Sequence, residues 1–372
     1  VQTYSKRASS VIDWLYTLAS QLNRKIMVRL VKGAYWDTEI KRAQVLGLAD
    51  FPVYSRKINT DVSYMACAKQ LLDMRDRIYP QFATHNAHTV AAVIELAGKQ
   101  GGYEFQRLHG MGESLHQAVV STGLAQCRIY APVGAHEDLL AYLVRRLLEN
   151  GANSSFVNQI VDKRVSPESI AKDPFDTVLA LGQVSSELIP KPADLYGSVR
   201  ANAKGWDLND PLVIQALDEA RSKFKGVQWQ AEPIIVGKRN VHESVPVINP
   251  ADPQDRVGSV IEADKADTET AIAAAQVGFE SWSNVAVSER AKILKNVAVL
   301  FEENSVELFS IASREAGKNL LDAVAEIREA VDFAYYYASE AENAHSGRAA
   351  RGVIVAISPW NFPLAIFAGQ VV

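Results

Sequence analysis

Two adjacent arginines, Arg145 and Arg146, lie inside the helical pattern YLVRRLLENG at residues 142–151. Tyr142, Arg145, Arg146 and Glu149 follow the spacing i, i+3, i+4 and i+7, which places them on one helix face. Two neighbouring guanidinium groups suit the carboxylate of an amino-acid substrate, because each offers paired donors in a fixed fork. Spacing alone favours the alternative, in which Arg145 pairs with Glu149 on a solvated face of the helix.

A third arginine, Arg29, interrupts the otherwise apolar run IMVRLVK at residues 26–32. A charge within a buried strand rarely has a purely structural role, so Arg29 is a candidate for chemistry. The sequence supports equally well an arginine at a strand end that pairs with a neighbouring carboxylate.

The elements that position these arginines alternate between strand and helix over the first part of the chain. Short links between them predict a parallel sheet with right-handed crossovers. Strands are predicted near Met27, Gln81, Phe105 and Ile129. Each of them ends in polar or special residues, namely Lys32-Gly33, Thr84-His85-Asn86, His109-Gly110 and Tyr130. Because the C-terminal ends of the strands form the reacting face of a (β/α)8 barrel, chemistry is expected at this edge.

The composition changes near residue 163, where a Pro-rich and Ser-rich stretch predicts a linker with one or two short helices. Beyond it, residues 245–263 predict a strand, a turn and a strand, and three helical stretches follow at 267–285, 288–317 and 320–341. Residues 352–369 predict a final β-rich run. We therefore expect domains at 1–165 and 225–372, with a linker at 166–224 between them.

Composition narrows the class of protein. A chain of 372 residues with 48% apolar content can bury a full core and suggests two domains. A net charge of -4 and the absence of a long basic run argue against a nucleic-acid-binding surface. The two cysteines, Cys67 and Cys127, lie in unrelated contexts, so we expect a reducing compartment, no disulfide and no metal site. The start at Val1 predicts that the chain begins within a longer protein.

Five strings in the first 165 residues resemble the proline dehydrogenase barrel of the bifunctional proline-utilisation enzymes. They are VRLVKGAYWD, QFATHNAHT, EFQRLHGMGE, RIYAPVG and YLVRRLLENGANSSF. The resemblance implies an α/β fold whose four strands are the C-terminal half of a (β/α)8 barrel. It also implies that Arg145 and Arg146 hold the carboxylate of L-proline, with Tyr130 and Tyr142 against the proline ring.

The same resemblance implies that FAD is bound at the reacting face, since proline oxidation needs an electron acceptor that side chains do not provide. It places Arg29 beside the reactive nitrogen of the flavin, where it would stabilise negative charge on the reduced ring. Further positions that match FAD contacts are Val31, Gly33, Ala34, Trp36, Ser55, Lys57, Thr84, His85, Asn86, Gln106, Glu149 and Phe156.

Residues 225–372 resemble the N-terminal part of an aldehyde dehydrogenase domain, through VINPADPQDRVGSV and above all ISPWNFP. The resemblance implies that the amide of Asn361 donates to a developing oxyanion. It implies that four residues border the path of NAD, namely Ile357, Ser358, Pro359 and Trp360. The alternative for PWNFP is a rigid double-proline turn that packs two aromatic rings. Aldehyde oxidation also needs a cysteine thiolate, and neither cysteine of this chain has a suitable context.

For the whole protein, the resemblance implies oxidation of L-proline to pyrroline-5-carboxylate, with quinone as the electron acceptor. NAD-dependent oxidation of glutamate semialdehyde to glutamate would follow. It also implies a homo-oligomer in the cytoplasm that associates peripherally with the inner membrane when reduced, and DNA binding only through a segment before Val1. Two alternatives stay open, another flavin-dependent barrel oxidoreductase and a non-catalytic remnant that serves as a scaffold.

Overall fold

A computed structural model of the chain describes residues 1–151, 166–237, 242–344 and 349–372. The chain divides into two compact units, and each is described here by itself. The first unit comprises Val1–Lys41 and Phe51–Ile189, and the second comprises Arg42–Asp50 and Pro190–Val372. No helix in the described part of the chain is both long enough and apolar enough to cross a membrane.

The first unit is built on a parallel sheet of four strands in the order β1-β2-β3-β4, as the sequence predicts. The strands are β1 (Ile26–Leu30), β2 (Ile78–Ala83), β3 (Glu104–Leu108) and β4 (Gln126–Tyr130). The helices around them are α1 (Ala8–Gln21), α2 (Trp36–Val45, which runs into the second unit), α3 (Lys57–Asp73), α4 (Ala87–Ala97), α5 (Glu113–Ser121) and α6 (His136–Gly151). Two short helices follow, α7 (Pro167–Ile170) and α8 (Pro174–Leu179).

The two faces of this sheet differ sharply because side chains alternate along each strand. One face is apolar and packs with α1 and α3 into a core that includes Val28, Leu30, Phe82 and Phe105. The strand register aligns the opposite face, which we call the polar face. Its residues are Arg29, Gln81, Glu104, Gln106, Arg128 and Tyr130.

The second unit combines a small sheet with a helical layer. Its strands are β5 (Trp229–Ala231), β6 (Ser244–Asn249) and β7 (Asp252–Ile261), in the order β5-β7-β6, with β6 and β7 antiparallel. The helices of this unit are a short 3-10 helix (Pro192–Asp194), α9 (Pro211–Ser222), α10 (Lys265–Trp282), α11 (Val287–Glu303), α12 (Ser305–Ala316), α13 (Leu320–Ala344) and α14 (Ala365–Val371). A separate core includes Phe309, Ile327 and Val331.

Two predictions in this unit were wrong. The helical stretch at 288–317 is not continuous, since α11 and α12 meet at Asn304. The predicted β-rich run at 352–369 contains no strand in the described residues, and it ends in α14 instead. Its apolar side chains at Ile354, Val355 and Ile357 are exposed. A strand needs a hydrogen-bonded neighbour, and none of the described strands lies beside this run.

Candidate active site

Arg29 and Tyr130 meet across the polar face of the sheet. The guanidinium carbon of Arg29 lies 4.2 Å from the centroid of the Tyr130 ring, within the range of a cation–π contact. Since β1 and β4 are the outer strands of the sheet, the two side chains reach each other over β2 and β3. Among the described residues Arg29 forms no ion pair. The structure therefore shows no carboxylate partner for Arg29, which was the alternative that the sequence allowed.

The arginines of α6 also stand against tyrosine rings. Arg146 lies 5.4 Å from the ring centroid of Tyr142, and Arg145 lies 5.0 Å from that of Tyr35, which follows β1. The Nε of Arg145 is buried and has no hydrogen-bond partner in the described part of the chain. A buried donor without an acceptor is costly.

Two predicted positions near α6 cannot be placed. The side chain of Glu149 and the whole of Phe156 lie outside the residues that the structure describes. The pairing of Arg145 with Glu149 therefore stays a prediction, as does a cofactor contact at either residue.

His85, directly after β2, is a neutral imidazole. Its Nε2 accepts a hydrogen bond from the backbone N–H of Leu108 at 3.2 Å, so the proton of the neutral ring resides on Nδ1. Burial is the main cause that lowers the pKa of His85 to about 4. The remaining causes, in decreasing order, are the nearby charges of His116, Arg107, Arg146 and Arg29. The same charges show that Arg29 of β1 and Arg146 of α6 both lie near this ring.

The neighbours of His85 hold the end of β2 in place. The Oδ1 of Asn86 accepts from the backbone N–H of Thr89 at 2.9 Å and caps α4. The hydroxyl of Thr84 accepts from the backbone N–H of Asn86 at 3.2 Å. His116, itself buried, donates from Nε2 to the carbonyl of Thr84 at 3.0 Å. The Thr84 and Asn86 side chains thus have structural partners within the protein.

Glu104 is the centre of the polar face, and sequence reasoning missed it. Its buried carboxylate accepts from Gln81 Nε2 at 2.7 Å and from Gln106 Nε2 at 2.9 Å. Arg128 donates to both oxygens, from Nε at 2.7 Å and from Nη2 at 2.9 Å. Burial acts to raise the pKa of Glu104, but the hydrogen bonds from Arg128, Gln106 and Gln81 lower it to about 2. Because an ionised carboxylate only accepts, the Gln106 amide must turn its nitrogen toward Glu104 and its oxygen away.

The loop after β1 and the first residue of α2 contain four of the predicted flavin contacts. The backbone N–H and carbonyl of Val31 pair with Val1 and Thr3. Gly33 has φ +138°, and a Cβ at this position would lie 2.5 Å from the ring of Tyr4, so glycine is required whether or not a cofactor binds. Ala34 is exposed, and Trp36 donates from Nε1 to the carbonyl of Tyr54 at 2.7 Å.

Ser55 and Lys57 lie at the start of α3. The hydroxyl of Ser55 accepts from the backbone N–H of Ser186 at 2.8 Å. Lys57 is the first residue of α3 and is exposed.

In the second unit, the segment ISPWNFP is open to solvent. Trp360 is 86% exposed, and Asn361, Pro359 and Ile357 are exposed as well. Ser358 is partly buried. The alternative of a turn that packs two aromatic rings therefore fits poorly, because at least the Trp360 ring packs against little of the described chain.

One group of potential metal ligands, His242, Asp264 and Asp267, has a structural explanation. Asp264 and Asp267 form a capping box at the start of α10, and Asp267 lies 2.6 Å from the Nε2 of His242. These bonds account for the positions of the carboxylates without an ion.

Comparison with known proteins matches both units. Residues 1–159 match the family model described as proline dehydrogenase, and residues 236–372 match the aldehyde dehydrogenase family. The bifunctional protein PutA of Klebsiella aerogenes is 49% identical over all of this chain, which covers 30% of that protein. Over its full length the chain is similar to PutA proteins. It contains part of a proline dehydrogenase domain followed by the start of an aldehyde dehydrogenase domain.

Other PutA proteins agree. The PutA protein of Rhizobium meliloti is 49% identical over the whole of this chain, and the chain covers 31% of that protein. A crystal structure of PutA from Bdellovibrio bacteriovorus, inactivated by N-propargylglycine, is 31% identical with a TM-score of 0.82, and this chain covers 40% of it. The chain thus spans about a third of the length of the PutA relatives that it matches. Matches to both domains over the whole chain disfavour an unrelated flavin barrel and a coincidental ISPWNFP.

Proposed function

We propose that the protein to which this chain belongs oxidises L-proline with a flavin and then oxidises glutamate semialdehyde with NAD. The observation that carries the first activity is the cluster at the C-terminal ends of the strands, where Arg29 stacks on Tyr130 and the charges of Arg29 and Arg146 both act on His85. Cations at this edge of a parallel sheet suit an anionic substrate and an anionic cofactor.

The described residues fit a flavin. Arg29 projects from the polar face with an aromatic partner and no ion pair among the described residues. Gln106 turns its amide oxygen away from Glu104, so that oxygen can accept from an N–H of a bound ring. His85 offers an N–H from Nδ1. We propose that Arg29, His85 and Gln106 contact FAD, together with Val31, Gly33, Ala34, Trp36, Ser55, Lys57, Thr84, Asn86, Glu149 and Phe156.

FAD would supply the acceptor for the hydride that leaves proline. Arg145 and Arg146 would hold the substrate carboxylate, and the buried Nε of Arg145 awaits such an acceptor. Tyr130 and Tyr142 would pack against the substrate ring while also holding Arg29 and Arg146. Because the pKa of His85 is lowered to about 4, its ring adds no positive charge beside Arg29 and Arg146 near neutral pH.

In the second unit, Asn361 would donate to the oxyanion that develops during aldehyde oxidation. Ile357, Ser358, Pro359 and Trp360 would border NAD. The nucleophilic cysteine is not one of the two in this chain, because burial raises the pKa of both Cys67 and Cys127 and so disfavours the thiolate. Both lie in the first unit, Cys67 on α3 and Cys127 on β4.

Several partners belong to the same proposal. Quinone would accept the electrons of proline oxidation, and the whole enzyme would be a cytoplasmic homo-oligomer that reaches the inner membrane when reduced. DNA binding would require a segment outside this chain. The domain boundaries 1–165, 166–224 and 225–372 also remain proposals.

The test uses the enzyme purified from its source cells, with L-proline and with prolinamide, which lacks the carboxylate. Proline should bleach the flavin absorbance, and prolinamide should do so poorly. Arg145→Met or Arg146→Met should raise the KM for proline about 100-fold, as expected when a hydrogen bond to a charged group is lost, and should abolish the preference over prolinamide. Arg24→Met, at an exposed position, is the control.

Absence of bleaching by proline in the unmodified enzyme would refute the first activity. Bleaching that survives in both arginine variants, with the preference for proline intact, would show that the carboxylate binds elsewhere.

A further inference from the structure

The segment Ile357–Leu364, which contains the proposed oxyanion donor Asn361, is largely exposed and has no strand or helix of its own. An exposed irregular segment tends to be mobile. An oxyanion donor, in contrast, works only when it is preorganised. The segment therefore needs side chains that fix it from outside.

Glu326 of α13 fixes the C-terminal end of the segment. Its Oε1 accepts from the backbone N–H of Leu364 at 3.0 Å and from that of Ala365 at 2.7 Å. These are the residue before α14 and its first residue, where backbone N–H groups lack partners within the helix. Glu326 is buried, so its carboxylate is shielded from water and its hydrogen bonds are strong.

Lys318 completes this contact. Its Nζ lies 2.7 Å from Oε2 of Glu326 and 4.8 Å from the centroid of the Phe362 ring. One cation thus neutralises the buried carboxylate and contacts the residue immediately after Asn361. At the other end of the segment, Gln370 of α14 donates from Nε2 to the carbonyl of Ile357 at 2.9 Å.

We propose that Glu326 and Lys318 are positioning residues for Asn361 and for the segment that borders NAD. The inference rests on the proposed role of Asn361 in aldehyde oxidation. Burying a carboxylate costs free energy unless the group is paired. The Glu326 carboxylate accepts from the backbone of Leu364 and Ala365 and pairs with Lys318, which in turn contacts Phe362. Gln370 holds the other end of the same segment.

The first experiment measures backbone hydrogen exchange of Leu364 and Ala365 in the 372-residue chain. Glu326→Ala should speed the exchange of both amides at least about tenfold, because their acceptor is gone. Glu326→Gln keeps a carbonyl oxygen at the same place and should restore most of the protection. Lys318→Met supplies a second variant, in which the Phe362 contact and the ion pair are lost. Glu329→Ala, at an exposed position on the same helix, is the matched control.

The second experiment measures the NAD-dependent oxidation of glutamate semialdehyde by the purified enzyme with the same substitutions, beside Asn361→Ala. Glu326→Ala should lower kcat about tenfold or more, and Glu326→Gln should recover most of it, a rescue that a general loss of stability would not show. Unchanged exchange at Leu364 and Ala365 in Glu326→Ala overturns the inference outright.

The remaining outcomes separate the two proposals. If exchange speeds up and Asn361→Ala lowers kcat while Glu326→Ala does not, the inference fails and the proposed function stands. If Asn361→Ala leaves kcat unchanged, the proposed role of Asn361 fails, and the inference falls with it.

Discussion

Glu104 links three strands through one carboxylate, since Gln81 lies on β2, Gln106 on β3 and Arg128 on β4. Glu104 is buried but Arg128 is more than half exposed, so the main loss on removing the carboxylate is the acceptor for the Gln81 and Gln106 amides. We expect Glu104→Ala to lower the free energy of unfolding by about 2 kcal/mol, measured by urea denaturation. Glu113→Ala removes an exposed carboxylate that pairs with Arg107 at 3.5 Å, and that control should cost less than about 1 kcal/mol. Equal effects of the two substitutions would contradict a central role for Glu104.

The depressed pKa of Glu104 gives this stabilisation a pH dependence. The pKa is about 2 in the folded protein and about 4.3 in an unfolded chain. The contribution is therefore complete above the unfolded value and is lost as the pH falls from about 5 to about 2. The difference in urea midpoint between the unmodified chain and Glu104→Gln should shrink over this interval. A constant difference would show that the carboxylate does not titrate as described.

His85 shifts in the direction that burial dictates for a base. Its pKa of about 4 in the folded protein lies below the usual value near 6.5, so the unfolded state binds the extra proton first as the pH falls. We expect His85 to cost stability progressively between about pH 6.5 and about pH 4. Histidine NMR should show the ring neutral, with the proton on Nδ1, at about pH 6. A midpoint near the usual value would mean that the ring is open to water.

The arginines of the site could be predicted from the sequence, and their surroundings could not. Arg29 was conspicuous as a charge within an apolar run. Glu104 is the first residue of an ordinary strand pattern, and only the strand register brings it beside Gln81 and Arg128. The contact of Tyr35 with Arg145 depends on the packing of α6 near the end of β1, which the sequence does not reveal. Contacts between residues far apart in sequence leave no signal in local spacing.

At the scale of elements, Arg314 connects α12 to the hairpin of β6 and β7 and to the end of α9. It donates to both oxygens of Asp255, from Nε at 2.9 Å and from Nη2 at 2.6 Å. Its Nη1 donates to the backbone carbonyls of Phe224 and Val227 at 3.1 and 2.6 Å. Hydrogen bonding to Arg314 is also the main cause that lowers the pKa of Asp255 to about 2.

A lysine cannot reproduce these hydrogen bonds, because its single ammonium nitrogen lacks the fixed, planar set of donors that the guanidinium group of Arg314 offers. Arg314→Lys should lower Tm by about 5 °C in calorimetry, whereas Arg351→Lys, at an exposed position, should leave Tm unchanged. An unchanged Tm in Arg314→Lys would indicate that the three elements are held together by apolar packing alone.

Element boundaries were predictable where local periodicity decided them. The strand and helix alternation of the first unit and the β6–β7 hairpin followed from apolar spacing and turn residues. The break at Asn304 could not be predicted, because the apolar pattern continues from α11 into α12. The irregular run before α14 could not be predicted either, because an apolar pattern does not show whether a neighbouring strand is present to pair with it.

At the scale of the whole molecule, the two edges of the parallel sheet differ: residues 1–4 hydrogen-bond along the end of β1, from Arg29 to Lys32, whereas β4 is an open edge among the described strands. Among the described strands, β1 pairs only with β2 and β4 only with β3. Open edges with exposed apolar side chains favour association between chains. Ile129 on β4 is exposed, and Ile129→Lys should reduce concentration-dependent association of the 372-residue chain in sedimentation velocity. Leu96→Lys on α4 changes an exposed apolar residue away from an edge and should have little effect. A similar reduction by both substitutions would point to general hydrophobic association.

The polar face also bears on how the chain finds its fold. Parallel strands rich in apolar residues can pair in more than one alignment, and a slip by one residue exchanges the two faces of a strand. A slip of β3 by one residue would turn the Glu104 carboxylate into the apolar core near Phe82, turn Phe105 out of that core and leave Arg128 without its partner. A misaligned sheet would therefore be destabilised by the free energy of burying an unpaired charge. Glu104 thus disfavours incorrect alignments of β3, independently of any role in binding.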